Sequence, residues 1–299
     1  MTSSKTLVME RPTAVRHSVA SGVKTILLHI QNDNSLGQGL ETALSLARAC
    51  GAHLSCLHVT AIEAYVAFDS FGGVFAMNDV IEALDKEEAE LRSSVEEKLR
   101  NEDISWDYTQ VTGNIAGQIV SHAALADLVI VGREAYGADL TKTDMGLLGD
   151  LIHRARTPLL VAANDGQLCD PNGRAMIAWN GSYEVANAIR SSTGLLKLAS
   201  TVHVVQIAED DKDETFPSTR LLEYLSRHDI HAELSTIEAG VGLQDSYVIA
   251  DMLMARAREL DAEYLVMGGY SHNRVSEYIF GGVTRTLLTN KTGPLLIAH

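Results

Sequence analysis

The stretch from Tyr264 to Leu288 holds residues whose types and spacing could bind an anion. An apolar run, Tyr264 to Met267, reads as a buried strand. The pair Gly268-Gly269 follows it, and after a mixed loop a second pair, Gly281-Gly282, opens a helical pattern. Glycine lets a backbone take positive φ or come close to a ligand. Backbone N–H groups beside a helix N-terminus can then cradle a phosphate. Ser271 and Thr284 add hydroxyls, while His272, Arg274 and Arg285 add positive character. The same spacing also describes an ordinary strand-loop-helix connection whose glycines only shape turns.

Two further strand ends could complete such a site. Trp179-Asn180-Gly181-Ser182 follows one apolar run and Gln206-Ile207 closes another. The Asn180 amide offers a donor and an acceptor, suited to a base edge or a ribose. It reads equally as a turn residue or helix cap, with Ser182 the rival cap. Trp179 could stack on a ring or simply pack. No residue is assigned a catalytic role. Gly-x-x-x-x-Gly-Lys-Ser/Thr is absent, which sets aside an ordinary P-loop ATPase, and the absence of Gly-x-Ser-x-Gly disfavours an α/β hydrolase. The 11 histidines show no zinc-ribbon pattern, so no metal site is expected. His29, His58 and His203, in or beside predicted strands, read as packed or hydrogen-bonded.

The chain supplies the elements that must position these residues, in a repeating order. Thr25 to Ile30, Leu54 to Val59, Ser105 to Val111, Leu128 to Val131 and Pro158 to Ala162 read as strands. Helical patterns fall between them at Leu40 to Ala49, Asp79 to Arg100, Ile115 to Leu125 and Leu147 to Arg156. The order then begins again at Ala175 and ends with a strand at Pro294 to Ala298. A shift of 136 residues overlays Ala126–Ala163 on Ala262–His299 with eight identities in 38, and these fall where a repeat should show. Gly132 lands on Gly268, Gly146 on Gly282, and Pro158-Leu159-Leu160 on Pro294-Leu295-Leu296. A period this long means duplicated domains.

The expected fold is therefore α/β, with two tandem repeats, each a mainly parallel five-stranded sheet with helices on both faces. The expected divisions are a flexible N-terminal arm (1–22), a first domain (23–164), a linker (165–174) and a second domain (175–299). The matching final strands predict an internal pseudo-dimer of the two halves. Whether two chains form a further homodimer is left open.

Composition narrows the partners. With 299 residues, 46% hydrophobic and 21% charged, each half can bury a core. A formal charge of −15 opposes adsorption to nucleic acid or acidic membranes, and 5% aromatics provides few platforms for single strands. Neither is expected as a partner. Three cysteines without a Cys-x-x-Cys pair read as reduced, and no signal peptide or run of transmembrane length is seen, which points to the cytoplasm.

The duplicated halves, Val266-Met267-Gly268 at a strand end, Gly281-Gly282-Val283 before a helix and Pro294-Leu295-Leu296-Ile297 at the close resemble the universal stress protein family in its tandem form. The likeness covers nearly the whole chain after Gly22. It implies a Rossmann-like fold and ATP binding through Gly, two residues, Gly, nine residues, then Gly followed by Ser or Thr. It also implies an aspartate at the end of the first strand that helps hold the adenosine. Gly268 matches the first glycine and Ser271 replaces the second. His272 to Phe280 supply the nine residues, Gly281 matches the next glycine, Gly282 replaces the hydroxyl residue, and Asn180 stands at the aspartate's place. In the first half Gly132 is kept, but Ala135 takes the second glycine's position and Asp144-Met145 precede Gly146. A carboxylate there repels a phosphate. Gln31, Asn32 and Asp33 are that half's candidates for the adenosine contact.

The resemblance implies a stress-response regulatory protein that binds an adenine nucleotide, ATP or AMP, in its second half without strong catalysis. The expected site is Trp179, Asn180, Gln206, Ile207, Gly268, Ser271, His272, Gly281, Gly282, Val283 and Thr284, with magnesium left open. Two other readings stand beside it. One is a scaffold for unidentified protein partners that binds no nucleotide; the other is a weak ATP hydrolase or adenylating enzyme.

Overall fold

The computed structural model describes residues 22–33, 35–61, 74–133, 146–163, 166–208, 217–238, 245–269, 282–289 and 293–299. The arm before Gly22 lies outside them, as do Ala135, Asp144, Met145, Ser271, His272 and Gly281.

The first half runs β1 (Thr25–Ile30), α1 (Leu36–Cys50), β2 (His53–Ala61), α2 (Val74–Arg100), β3 (Trp106–Gly113), α3 (Ile115–Ala123), β4 (Leu128–Val131), α4 (Gly146–Arg154) and β5 (Leu159–Val161). The second repeats that order with β6 (Arg174–Trp179), α5 (Tyr183–Leu196), β7 (Thr201–Ala208), α6 (Ser218–Arg227), β8 (Ala232–Glu238), α7 (Ser246–Glu259), β9 (Ala262–Gly268), α8 (Gly282–Thr289) and β10 (Leu295–Ala298). Continuous apolar runs such as Leu128-Val-Ile-Val131 are buried at every residue, as suits strands covered on both faces. In α1 the spacing of Leu40, Ala43, Leu44 and Ala47 builds one buried stripe. The helix stops at Gly51, whose φ of 59° and N–H to the Ala47 carbonyl form a left-handed cap.

All ten strands form one sheet in the order β3-β2-β1-β4-β5-β10-β9-β6-β7-β8. Pairing within each half is parallel. The halves join where β5 meets β10 antiparallel, with Leu160 opposite Leu296. Those two leucines are the same residue in the two repeats, so a pseudo-twofold axis passes between them. One face of the sheet is covered by α1, α2, α5 and α6, the other by α3, α4, α7 and α8.

Several boundaries shift from expectation, two of them with consequences for the architecture. Helix α2 starts at Val74, five residues before Asp79; Ala76 and Met77 are good helix formers and extend the pattern that the charged face marks. Strand β6 begins at Arg174, inside the expected linker. The connection before it is strapped down. Gln38 Nε2 donates to the Gln167 carbonyl (2.7 Å), Ser45 Oγ donates to that of Cys169 (3.0 Å), and Cys169 is fully buried.

Candidate functional site

In an open parallel sheet, ligands sit outside the carboxyl ends of the strands where the chain order reverses. Here β1 lies between β2 and β4, and β6 lies between β7 and β9. Each half thus has one crevice, β1/β4 and β6/β9. The antiparallel junction places the two on opposite edges of the sheet.

The second crevice is bordered by the ends of β6 and β9 and the first turns of α5 and α8. Asn180 is exposed, and its Oδ1 accepts the Ser182 N–H (3.2 Å) while Ser182 Oγ accepts that of Val185 (3.4 Å). Ser182 is therefore the helix cap and Asn180 shapes the turn. Trp179 is 4% exposed and belongs to the core cluster that includes Val185 and Ala188 of α5. Of its two possible uses, packing is the one seen. Its Nε1 and one oxygen of Glu184 are buried without partners. Gln206 and Ile207 are half-buried at the end of β7.

The glycines at this edge are needed by the protein itself. A Cβ on Gly268 would lie 2.5 Å from the Val185 nitrogen and 2.8 Å from the Glu184 carbonyl carbon, so the first turn of α5 rests directly on the strand end. A Cβ on Gly282 would meet Ser246 Oγ at 2.1 Å, where α8 crosses the start of α7. Gly282 is exposed, Val283 half-buried, and Thr284 buried at 5%. The Thr286 hydroxyl donates back to the Gly282 carbonyl (2.9 Å).

The first crevice has the same frame with different contents. Gly132 matches Gly268, and a Cβ there would meet Ser35 Oγ at 2.0 Å. Asp33 Oδ1 accepts both the Ser35 N–H (2.8 Å) and its hydroxyl (2.6 Å), so this carboxylate holds the turn. Leu28 pairs with Ile130 as Ile177 pairs with Val266, which makes His29 the counterpart of Ala178. His29 is 4% exposed and neither ring nitrogen has a partner. Burial, then the charge of nearby His58, lowers its pKa to about 4, so it is neutral at pH 7. Beyond it, His58 Nδ1 donates to the Ile30 carbonyl (3.0 Å), and Glu88 accepts from Thr60 and Gln110.

Arg133 follows Gly132 and is 7% exposed. Its guanidinium reaches into the other half, where Nη1 donates to the carbonyls of Leu287 (2.9 Å) and Leu288 (3.3 Å) and Nη2 to that of Gly293 (2.9 Å). The residue matching it in the second half is Gly269, where a Cβ would meet Ile152 and Ile297 at 2.7 and 2.8 Å. Sequence reading singled out neither Arg133 nor the His29/Ala178 pair. A charged residue placed directly after a repeated strand-end glycine is the signal that could have marked Arg133. A separate cavity of about 420 Å³ opens at the amino-terminal edge of β9 and β10, lined by Met254, Arg258, Glu263, Tyr264 and Pro294, and lies away from the β6/β9 crevice.

Residues 22–162 match the model of the universal stress protein family. The first half of the chain is a domain of that family. The second half repeats the fold, an arrangement consistent with the tandem form of the family. The whole chain is similar in structure to a universal stress protein from Archaeoglobus fulgidus DSM 4304, at 14% identity over 92% of this chain and 95% of that one, with a TM-score of 0.70. A putative universal stress protein from Pseudomonas aeruginosa UCBPP-PA14 aligns at 19% identity over 93% and 94%, TM-score 0.55. A functionally unknown protein from Pseudomonas aeruginosa PAO1 aligns at 18% over 94% of each chain, also at 0.55. At these identities the likeness is one of fold. No curated protein matches the chain. Among the described residues, no helix is long and apolar enough to cross a membrane.

Proposed function

We propose that the β6/β9 crevice binds one adenine nucleotide, ATP or AMP, and that the protein acts as a stress-response regulator without strong catalysis. One observation carries this reading. At two matching positions bordering the crevices, the first half has a large side chain and the second has the smallest available: His29 against Ala178, and Arg133 against Gly269. The first half uses both positions for packing and contacts within the protein, with His29 buried and Arg133 reaching across the junction; the second half carries neither a ring nor a charge there. Asn180 and Gln206 offer amides to the base or ribose. The start of α8 at Gly282 offers backbone N–H groups and the positive end of the helix dipole to the phosphates. Because the space above Gly268 and Gly282 is taken by α5 and Ser246, these backbone donors, rather than room above the glycines, are what the phosphates would use.

Equilibrium dialysis with labelled ATP, ADP and AMP should give one site per chain. Gly281→Val should abolish binding and Gly146→Val leave it almost intact, with circular dichroism showing both variants folded. No binding up to millimolar nucleotide, or two sites per chain, would overturn the reading.

A further inference from the structure

We infer that Arg133 is a positioning residue for the opposite half: it holds the C-terminus of α8 and thereby sets the helix whose N-terminus borders the β6/β9 crevice. The second part of this inference rests on the nucleotide reading of that crevice. Helix α8 has eight residues and spans about 12 Å. Helices this short do not hold themselves together in water, so their ends must be satisfied from outside. The last carbonyls of α8 receive that support from a residue 154 positions earlier in the chain. The guanidinium meets carbonyl oxygens at the negative end of the helix dipole, which offsets the cost of burying its charge. Nε of the same group faces the Ala162 carbonyl (3.4 Å), so the latch is anchored beside β5 as well.

The latch runs one way. Gly269, the matching residue of the second half, has no side chain to reach the end of α4, and packs instead against Ile152. Because β4 ends on the edge of the sheet where α8 finishes, Arg133 acts on the helix at the end remote from the nucleotide. It touches no ligand; it fixes the position of Gly282 through two helical turns.

Hydrogen exchange on the full chain reads the latch directly. In Arg133→Met, the amides of Thr286 to Thr289 should exchange at least tenfold faster than in the wild type, with β6 and β7 unchanged. Arg133→Lys, which keeps a donor but not the fork, should fall between. Nucleotide Kd should rise about tenfold in Arg133→Met, equivalent to about 1.4 kcal/mol, and partly recover in Arg133→Lys. Leu99→Ala, a buried change in α2 far from the junction, lowers stability without touching α8 and should leave both readouts alone. Unchanged α8 exchange in Arg133→Met would overturn the latch, as would equal acceleration in Leu99→Ala. Faster α8 exchange with unchanged Kd would overturn its bearing on the crevice. A wild-type chain that binds no nucleotide overturns the nucleotide reading instead, and the exchange result then decides the latch by itself.

Discussion

The two crevices share strand order and a strand-end glycine against which the start of a helix rests, yet they have opposite characters. In the first, Asp33, His29 and Arg133 all serve the protein: one holds a turn, one is buried, one latches the other half. In the second, Asn180 makes a turn contact with Ser182, Ala178 packs against the core with a single methyl, and Gly269 has no side chain to cross the junction. Strand ends lie outside the core, so their residues can change use while the sheet beneath is untouched. The frame alone therefore does not tell the two crevices apart; the side chains at the strand ends do.

The strongest test of the shared frame is the glycine under each helix. At Gly268 an added side chain meets backbone, which cannot rotate away; at Gly132 it meets the Ser35 side chain. Gly268→Val should cost about 4 kcal/mol in urea unfolding and Gly132→Val about 2 kcal/mol. Adding Ser35→Gly should recover much of the Gly132→Val loss, and no comparable second change exists for Gly268. Equal losses without recovery would show that the two helices are seated differently from the structure described.

Next in size is the pH response that only the first crevice should have. His29 titrates near 6.5 when unfolded and at about 4 when folded. Between those values the unfolded chain takes up a proton that the folded chain refuses. The contribution of His29 is thus complete above pH 6.5, declines as pH falls towards 4, and is gone below. The span corresponds to about 3 kcal/mol. His29→Leu should remove that slope from the stability-pH curve measured between pH 7 and 4. A variant that keeps the full wild-type slope would place the titration elsewhere.

The smallest effect separates the two turns. Asp33→Ala loses two bonds to Ser35 and should cost about 1 kcal/mol; Asn180→Ala loses one longer bond and should cost about 0.5 kcal/mol or less. Nucleotide affinity should rank them the other way, with Asn180→Ala weakening binding and Asp33→Ala leaving it unchanged. Dialysis of both variants checks the order.

Much of the frame was legible before any coordinates. Apolar runs at Leu128 and Leu265 and the 136-residue overlay gave the strands, the repeat and the two final strands that meet, because burial and turn geometry act on neighbouring residues. The contents of the crevices were harder. His29 and Ala178 are 149 residues apart, not 136, because the connections between β1 and β4 and between β6 and β9 differ in length; no single overlay aligns them. Arg133 finds its partners 154 residues on, and nothing local announces that. Gly268 and Gly282 were visible as glycines, but whether each faces a phosphate or a neighbouring helix is decided by tertiary approach alone. Trp179 was likewise open between stacking and packing until α5 was seen above it.

The junction also has a consequence in time. During synthesis the first half emerges with Leu159-Leu-Val161 bare along one edge, since its partner strand starts 134 residues later at Leu295. At translation rates of about 5–20 residues per second, that apolar edge waits roughly 7–27 s for its complement. An unpaired strand of this kind is a template for pairing with the wrong chain. The order of the halves on the ribosome thus leaves nascent chains most exposed to neighbours on the same message, and to chaperones that bind bare strand edges, until the last strand is released.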